Sequence, residues 1–285
     1  MSSPFLYGSP VPRPLLVGRE RELRHVVNRL LNVGQSTVII GEPKTGKTSL
    51  LHYLLARETR DELSARGGIH LLCSFIDAQG LSGQVDQHRF WHHALRPVRD
   101  ELAREGAPPD VVHAWQQCDA HGFDALEIAS LLETMAAARW RLTLLIDEVS
   151  ELIRHPMLGN GEFFGSLRSL VSRAGGALAL VAASRYDVSL LDDATASFSA
   201  GSPYFNFLSG IRLGPLSPSG VERLLQSAKH VLTESDLASI RELTGGHPYL
   251  LQVLGAALWD SVEDGIKEPE SRRQQGLRRL YQEAA

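Results

Sequence analysis

The sequence predicts a three-layer α/β domain with a parallel five-stranded sheet, followed by a small all-helical lid. Apolar segments of strand length alternate with amphipathic segments of helical length up to Gly214, which is typical of strands joined by helical crossovers. The apolar segments are continuous, as expected for strands covered on both faces. After Gly214 only helical patterns follow. The 285 residues, 43% of them hydrophobic, suffice for a substantial core.

Five short, mostly apolar segments are predicted as the strands. They are Thr37–Ile40, Ile69–Asp77, Leu142–Ile146, Leu178–Ala183 and Ile211–Leu213. The spacing of apolar residues predicts helices over 20–31, 48–63, 85–105, 124–139 and 161–174. Pro97 should kink or split the third of these helices. Residues 107–121 contain prolines and histidines and are predicted to be irregular.

The segment after Gly214 is predicted to form three helices. Ser217 followed by Pro218 is typical of a helix start, and residues 233–236 (TESD) have the pattern of a capping box. The predicted helices cover 218–229, 234–243 and 248–263. The predicted organisation is an extended, proline-rich segment (1–16), an α/β domain (17–214), a helical lid (215–264) and a tail with the pattern of one amphipathic helix (265–285).

Composition argues against several classes of protein and site. The two cysteines, Cys73 and Cys118, have no CxxC spacing, which argues against a disulfide scaffold or a zinc site and fits a reducing compartment. The longest apolar run, Ala177–Ala183, is far shorter than the about 20 residues of a membrane helix, and the proline-rich beginning does not resemble a signal peptide. A net charge of −4 disfavours a nucleic-acid partner. We therefore expect a cytoplasmic protein that does not act at a membrane.

The strongest chemical signal is the segment 41–48 (GEPKTGKT), which matches the pattern GxxxxGK[ST] in full. It lies between a predicted strand and a predicted helix, the context of a phosphate-binding P-loop. The glycines let successive N–H groups point at phosphate oxygens, and the helix start adds a partial positive charge. Lys47 is expected to reach the β- and γ-phosphates of ATP, and the Thr48 hydroxyl to bind Mg²⁺. The alternative is a chance Gly/Lys turn.

Charged residues follow the third and fourth predicted strands. Asp147 is expected to hold Mg²⁺ through water, and Glu148 to polarise the attacking water, as at the Walker B strand of a P-loop protein. Two adjacent carboxylates repel each other unless a cation lies between them, which favours a metal site. Arg185, next to Ser184, is expected to sense the γ-phosphate and neutralise developing charge. The alternatives are a charged turn and a surface arginine.

Other patterns are weaker. His88, His92 and His93 include the i, i+4 spacing of zinc ligands, but no cysteine or glutamate motif accompanies them, so a packed or solvated helix face is predicted. The segment 204–208 (YFNFL) is predicted to be packing, with an exposed contact loop as the alternative. The arginines of the tail are interpreted as a solvated helix face.

The motifs together resemble the P-loop ATPases of the STAND class, within the broader AAA+-like group. Besides the P-loop and the two charged strand ends, the resemblance includes the segments 17–20 (VGRE) and 244–251 (TGGHPYLL). The residues 7–11 (YGSPV) also resemble the lead-in of bacterial members. The resemblance spans roughly 5–260. The segments 17–20 and 244–251 together are more discriminating than the Walker motifs, which many ATPases share.

The resemblance implies that Val17, Gly18 and Pro248 frame the adenine of ATP, although an ordinary helix start explains Pro248 equally well. The residues expected to bind the nucleotide are Val17, Gly18, Gly41, Glu42, Pro43, Lys44, Thr45, Gly46, Lys47, Thr48, Ser49 and Pro248. The residues expected to bind Mg²⁺ are Thr48 and Asp147, and those expected to act in catalysis are Glu148 and Arg185.

The resemblance implies a molecular switch that binds ATP and hydrolyses it slowly, in signalling or defence. STAND proteins carry further domains after the lid, whereas about 21 residues follow it here, so the effector is expected in a separate chain. A protein partner or self-association on ATP binding is expected. No Lys or Arg lies between Val188 and Ile211, where ring-forming motors place an arginine finger. The alternatives are a nucleic-acid-associated ATPase similar to origin-recognition proteins and a non-hydrolysing scaffold stabilised by ATP.

Overall fold

The computed structural model describes residues 3–104, 106–198 and 203–284, without the side chain of Ala284. The first two residues of the predicted N-terminal segment and the last residue of the predicted tail lie outside the described residues. The chain forms two compact units. The helical unit comprises Met1–Leu23, Glu42–Leu50 and Leu213–Ala285, and the sheet unit comprises Arg24–Gly41 and Leu51–Arg212. The domain boundaries expected from the sequence stay predictions.

The sheet unit is built on five parallel strands, as predicted. They are β1 (Thr37–Ile40), β2 (His70–Asp77), β3 (Trp140–Asp147), β4 (Leu178–Ser184) and β5 (Ser209–Arg212). Their order across the sheet is β2-β3-β4-β1-β5. Every residue of β1, β3 and β4 is buried, as expected for continuously apolar strands covered on both faces. Since β4 pairs with both β1 and β3, the carboxyl ends of these three strands are neighbours.

Helices alternate with these strands along the chain. They are α1 (Glu20–Val33), α2 (Lys47–Leu55), α3 (Arg57–Gly67), α4 (Gln87–Ala94), α5 (Arg96–Leu102), α6 (Pro109–Ala120), α7 (Ala125–Ala137), α8 (Ser150–Arg154), α9 (Gly161–Arg173) and α10 (Val188–Thr195). The core of the sheet unit contains large aromatic side chains beside the aliphatic strands, and the rings of Phe90 and Phe163 contact each other edge to face.

Two expectations for these helices are wrong, and one is confirmed. The single helix predicted over 48–63 is two helices, α2 and α3, because Ala56 between them is extended with ψ 135°. The irregular segment predicted over 107–121 is helix α6, which Pro109 begins at its first position, where a missing N–H costs nothing. The split expected at Pro97 is confirmed between α4 and α5. The short helices α8 and α10 lack repeated apolar spacing and are not predicted from the sequence.

The helical unit contains the three predicted lid helices, and the tail adds a fourth. They are α11 (Pro218–Gln226), α12 (Glu234–Thr244), α13 (Pro248–Glu263) and α14 (Pro269–Ala284). Ser217 Oγ accepts a hydrogen bond from Gly220 N at 3.2 Å at the start of α11. Thr233 and Asp236 form a reciprocal capping box at the start of α12. Both helix starts expected from the sequence are confirmed.

The tail and the N-terminal segment are packed parts of the helical unit. Arg272 of α14 is 4% exposed and donates from Nη2 to Asp236 Oδ2 of α12 at 2.7 Å. Phe5 is buried against α13 at Gly255, where a side chain would overlap the phenyl ring. The helix expected in the tail is therefore present and Arg278 is exposed, but Arg272 departs from the predicted solvated face because it lies in the interior.

The cysteines agree with the expectation from the sequence. Cys73 and Cys118 are buried and unpaired, and burial raises the pKa of each thiol to about 12. Both are therefore protonated at neutral pH and are not nucleophiles. Within the described ranges 3–104, 106–198 and 203–284, no group of three His, Cys, Asp or Glu side chains is arranged to hold a metal, and no helix is long and apolar enough to cross a membrane.

Candidate functional site

The P-loop leaves the sheet at the carboxyl end of β1. Gly41 N donates to Ser184 O at 3.1 Å, which fixes the end of β1 beside the end of β4. Lys44 and Gly46 both have left-handed backbone conformations, with φ of 63° and 94°. Glycine adopts this conformation without strain, whereas it is uncommon for lysine. These two residues turn the chain into α2.

The P-loop closes on one of its own carbonyl groups. Lys47, the first residue of α2, is 5% exposed, and its Nζ donates to Glu42 O at 3.1 Å. Thr45 Oγ1 donates to the same carbonyl oxygen at 2.8 Å. Thr48 follows in the first turn of α2, where backbone N–H groups have no helical acceptor. The loop therefore holds a buried ammonium group at a helix N-terminus, an arrangement suited to anions.

The segment before α1 crosses α11 at a point where only glycine fits. Gly18 has φ 75°, and a Cβ there would lie 3.1 Å from both Gly220 Cα and Leu216 Cδ2. A side chain at Gly18 would therefore force this segment away from α11. The glycine expected from the sequence to lie near adenine thus has a packing role of its own.

Arg19 is a functional candidate that the sequence analysis does not single out. It is 3% exposed, and its Nη2 donates to Thr45 O at 3.0 Å and to Gly214 O at 2.6 Å. Burial lowers the pKa of the Arg19 guanidinium, and Glu22, 3.7 Å away, opposes this effect. Arg19 therefore positions the P-loop against the segment that leads into α11. The signal was its place in the VGRE box, but the sequence does not distinguish a buried arginine from a solvated one.

A mostly apolar cavity of about 220 Å³ lies beside Val17 in the helical unit. The N-terminal segment forms one wall, and Ser49 Oγ holds that segment by accepting from Val11 N at 3.0 Å. Gln252 lines the cavity from α13, and its Oε1 accepts from Leu6 N at 2.9 Å. An apolar cavity of about 150 Å³ is large enough for benzene, so this one has room for a larger flat ring.

The start of α13 carries the second predicted adenine contact. Gly246 has φ 79°, and its carbonyl accepts from Leu216 N at 2.8 Å, which joins this turn to the segment before α11. His247 is the N-cap residue, but its side chain makes no capping hydrogen bond. Pro248 occupies the first helical position, where its fixed φ suits the helix. Pro248 does not line the cavity beside Val17.

The end of α14 contacts Lys44, the exposed lysine of the P-loop. Lys44 Nζ donates to Glu283 O at 2.9 Å and lies 4.1 Å from the centre of the Tyr249 ring. Tyr249 OH donates to Glu283 Oε2 at 2.9 Å. Tyr7 OH accepts from Arg279 Nη2, and the Tyr7 ring meets the Tyr249 ring edge to face. Lys44 thus has partners in the tail that sequence spacing alone does not predict.

The predicted catalytic residues lie together in the sheet unit. Asp147 ends β3 and is 8% exposed, and its Oδ1 accepts from Glu148 N at 3.1 Å. Glu148 has a left-handed φ of 48°, a conformation uncommon for a residue with a side chain and often found at functional sites. Arg185 Nε lies 3.6 Å from Glu148 Oε2. The residue pair expected to act on the γ-phosphate is thus a pair of neighbours.

The weaker sequence candidates are structural. His88, His92 and His93 are exposed, and the rings of His88 and His92 lie 5.8 Å and 5.6 Å from the Phe123 ring, in agreement with a solvated helix face. In the segment 204–208, Tyr204 and Phe205 are buried in the core, which confirms the packing interpretation.

Comparison with protein families places most of the chain in one of them. The model of a family described as AAA-like domain matches residues 9–262. Among curated proteins, no sequence matches the chain. The AAA+-like part of the resemblance is therefore confirmed, whereas the STAND class stays a prediction.

Solved structures with the same fold are distant in sequence. A Walker-type ATPase of Pyrococcus abyssi has a TM-score of 0.64 and 16% identity over 99% of this chain and 76% of that chain. The ORC2 protein of Aeropyrum pernix, in ADPNP–ADP complexes, has a TM-score of 0.64 and 14% identity over 94% and 69%. Drosophila ORC bound to DNA has a TM-score of 0.59 and 16% identity over 95% and 63%. The chain belongs to the AAA-like domain family and has the fold of P-loop ATPases of the AAA+ type.

Proposed function

We propose that this protein binds ATP with Mg²⁺ and hydrolyses it slowly as a molecular switch. The observation that carries the proposal is the complete P-loop between β1 and α2, with Lys47 buried in it. Lys47 binds the β- and γ-phosphates, and the backbone N–H groups between Gly41 and Ser49 surround the phosphate oxygens. A buried ammonium at the start of a helix suits a polyanionic ligand.

The hydroxyl of Thr48 and the carboxylate of Asp147 offer the oxygen ligands that suit magnesium. Carboxylate and hydroxyl oxygens are the ligands that this cation takes, usually together with water and substrate phosphates. We assign Thr48 and Asp147 to it, and bound Mg²⁺ neutralises charge on the phosphates. Asp147 is 8% exposed, at the end of β3.

Glu148 acts as the base in the proposed reaction. It accepts a proton from the attacking water, whose oxygen bonds to the γ-phosphorus as the bond to the bridging oxygen breaks, giving ADP and phosphate. Arg185 is assigned to the γ-phosphate. Since Arg185 is half-exposed and only 3.6 Å from Glu148, it has the freedom to exchange the carboxylate for a phosphate oxygen.

The base of the nucleotide is assigned to Val17, Gly18 and Pro248. Of these three residues, Val17 lines the apolar cavity of the helical unit, whereas Gly18 and Pro248 do not, and Arg19 connects the same segment to the P-loop. Binding of the base and the phosphates then orders the helical unit, and loss of the γ-phosphate releases it. We propose the STAND-type use of this cycle, in signalling or defence, with a partner protein or self-association on ATP binding.

The second candidate is an ATPase that acts with nucleic acid. Its support is the fold shared with ORC2 and with ORC bound to DNA. The arginines of the tail speak against it, because Arg272 is buried on Asp236, Arg273 pairs with Glu242, and Arg279 with Asp260. Such pairing leaves little net positive charge for phosphate contacts.

Titration of the purified protein with ATP, followed by a turnover measurement, tests the proposal. Binding that depends on Lys47 and slow turnover that depends on Glu148 support it. Binding without turnover leaves the non-hydrolysing scaffold, and absence of binding refutes the nucleotide site. Turnover that DNA stimulates, with a steep dependence on salt, supports the second candidate instead.

A further inference from the structure

The P-loop is held from outside through the side chain of Lys44. Lys44 has a left-handed φ of 63°, which is uncommon for a residue with a side chain. Such a conformation is unfavourable and persists where the surrounding structure fixes it. The side chain of Lys44 is exposed, yet its Nζ donates to Glu283 O at 2.9 Å and lies 4.1 Å from the centre of the Tyr249 ring. These two contacts hold the residue at which the P-loop turns.

Both partners of Lys44 are themselves fixed. Tyr249 OH donates to Glu283 Oε2 at 2.9 Å. Burial and the hydrogen bond to Glu283 raise the pKa of Tyr249, so its hydroxyl stays protonated and donates. The Tyr249 ring meets the Tyr7 ring edge to face with centres 6.2 Å apart, and Tyr7 OH accepts from Arg279 Nη2 of α14. Tyr249 of α13 and the end of α14 thus form one connected support for Lys44.

The charges of the P-loop lysine and of the helix end are complementary. Carbonyl groups in the last turn of a helix have no helical partner and carry a partial negative charge. Glu283 O is such a carbonyl, one residue before the end of α14, and Lys44 supplies the positive charge. The ammonium group is also attracted to the face of the Tyr249 ring. Displacement of the end of α14 therefore breaks favourable contacts of the P-loop.

We propose that Tyr249 and Glu283 are positioning residues of the nucleotide site, which act through Lys44 to hold the P-loop in the conformation that binds phosphate. The inference rests on the proposed function and deepens it, because the docked end of α14 becomes a regulator of nucleotide affinity. Neither residue belongs to the nucleotide-binding set expected from the sequence. The coupling is reciprocal: a change that loosens the end of α14 weakens the nucleotide, and a bound nucleotide holds the end of α14 more firmly.

The test compares ADP binding to the wild type, Tyr249→Phe and Tyr281→Phe by titration calorimetry. Both changes remove one phenolic hydroxyl, but Tyr281 lies on α14 with its side chain 76% exposed, which makes it the matched control. We expect Tyr249→Phe to weaken ADP about three- to tenfold, and Tyr281→Phe to match the wild type. Adenosine, which has no phosphate, should bind all three proteins alike. The inference is overturned if Tyr249→Phe weakens adenosine as much as ADP, or if Tyr281→Phe weakens ADP as much as Tyr249→Phe does.

A double-mutant cycle tests whether Tyr249 acts through Lys44. Lys44→Met should weaken ADP by itself, and adding Tyr249→Phe to it should have little further effect, since the hydroxyl then has no lysine to position. An equal effect of Tyr249→Phe with and without Lys44 overturns the inference. Glu283→Gln keeps an oxygen that accepts from Tyr249, so it should retain more affinity than Glu283→Ala. Equal losses in these two variants would remove the Glu283 side chain from the support.

Hydrogen exchange in the free protein tests the same support without a ligand. The amides of residues 44–46 should exchange faster in Tyr249→Phe than in Tyr281→Phe, because the P-loop opens more often when Lys44 is held less firmly. Exchange by native protein also shows that both variants are folded. Absence of ADP binding in the wild type refutes the proposed function, whereas equal exchange in the two variants overturns this inference alone.

Discussion

Replacing Arg272 by methionine is expected to destabilise the helical unit by about 3–5 kcal/mol. Arg272 is 4% exposed and Asp236 is 2% exposed. Arg272 donates to Asp236 from Nη2 and Nε at 2.7 and 2.9 Å, and from Nη1 to the carbonyls of Ile266 and Lys267, each at 2.8 Å. Methionine fills similar volume but leaves the carboxylate and two carbonyls without these donors. The cost arises from the uncompensated buried charge rather than from lost packing.

The neighbouring arginine provides the matched control. Arg273 pairs with Glu242 at 3.3 Å near the surface, and the glutamate is 66% exposed. An exposed pair of this kind contributes about 0–1 kcal/mol. Arg273→Met should therefore remove the same charge from α14 with little effect. Adding Asp236→Asn to Arg272→Met should recover part of the stability, because the amide removes the buried charge and still accepts a hydrogen bond from Thr233.

The pH dependence supplies a second test of the same pair. Burial by itself would raise the pKa of Asp236, but hydrogen bonds from Arg272 and Thr233 outweigh it and hold the pKa below its ordinary value. A carboxyl group whose pKa is lowered by folding stabilises the protein above its unfolded pKa of about 3.9, and this contribution is lost as the pH falls through the folded pKa. In Arg272→Met, burial should raise the pKa of Asp236 above its unfolded value, so the variant should lose stability as the pH rises through the raised pKa. Its stability deficit relative to the wild type should therefore be largest near neutral pH and shrink in acid.

Native-state hydrogen exchange of the α12, α13 and α14 amides is the suitable assay, because it reports the opening free energy of this unit separately from the sheet unit. The slowest amides of α13 in the wild type set the reference. If Arg272→Met lowers their opening free energy by no more than Arg273→Met does, the reasoning from burial is refuted. A stability deficit of Arg272→Met that stays the same from neutral to acidic pH would contradict the assignment of the carboxylate.

The remaining predictions concern the nucleotide. Lys47→Ala should abolish ATP binding in a titration, and wild-type affinity would contradict the P-loop assignment. Glu148→Gln should retain Mg-ATP but lose turnover, whereas Asp147→Asn should weaken the dependence on Mg²⁺; equal loss of binding in both would contradict this division of roles. Pro248→Ala should weaken ATP by roughly 1 kcal/mol, and an unchanged Kd would remove it from the base site. Limited proteolysis across 205–220 should slow with Mg-ATP, and identical rates would remove the switch.

The parts of the fold predicted from the sequence are those in which one residue pattern has one structural solution. Continuous apolar segments predicted the five strands, and the GxxxxGK[ST] pattern predicted the turn from β1 into α2. The sequence does not predict helix α6, because a segment with prolines and histidines has the composition of irregular structure. Pro109 nevertheless begins this helix, since proline is tolerated at the first helical position. Composition is a weak guide where the position of one residue within an element decides its effect.

The candidate site was only partly predictable for a different reason. Lys47, Asp147 and Glu148 belong to patterns of fixed spacing, so their types and positions indicate their chemistry. Arg19 depends on contacts between segments far apart in sequence, such as the hydrogen bond from its Nη2 to Gly214 O. A buried arginine looks like an ordinary polar residue in a sequence, and only its burial and its partners distinguish it.

Arg19 provides a permanent charge in the interior of the helical unit. Arg19 joins the Thr45 carbonyl to the Gly214 carbonyl, and arginine stays protonated in proteins, so this connection persists whatever the charge of the ligand. A change from ATP to ADP therefore leaves the Arg19 connection intact. We accordingly assign the response to loss of the γ-phosphate to Arg185, whose side chain is half-exposed, and not to the buried Arg19.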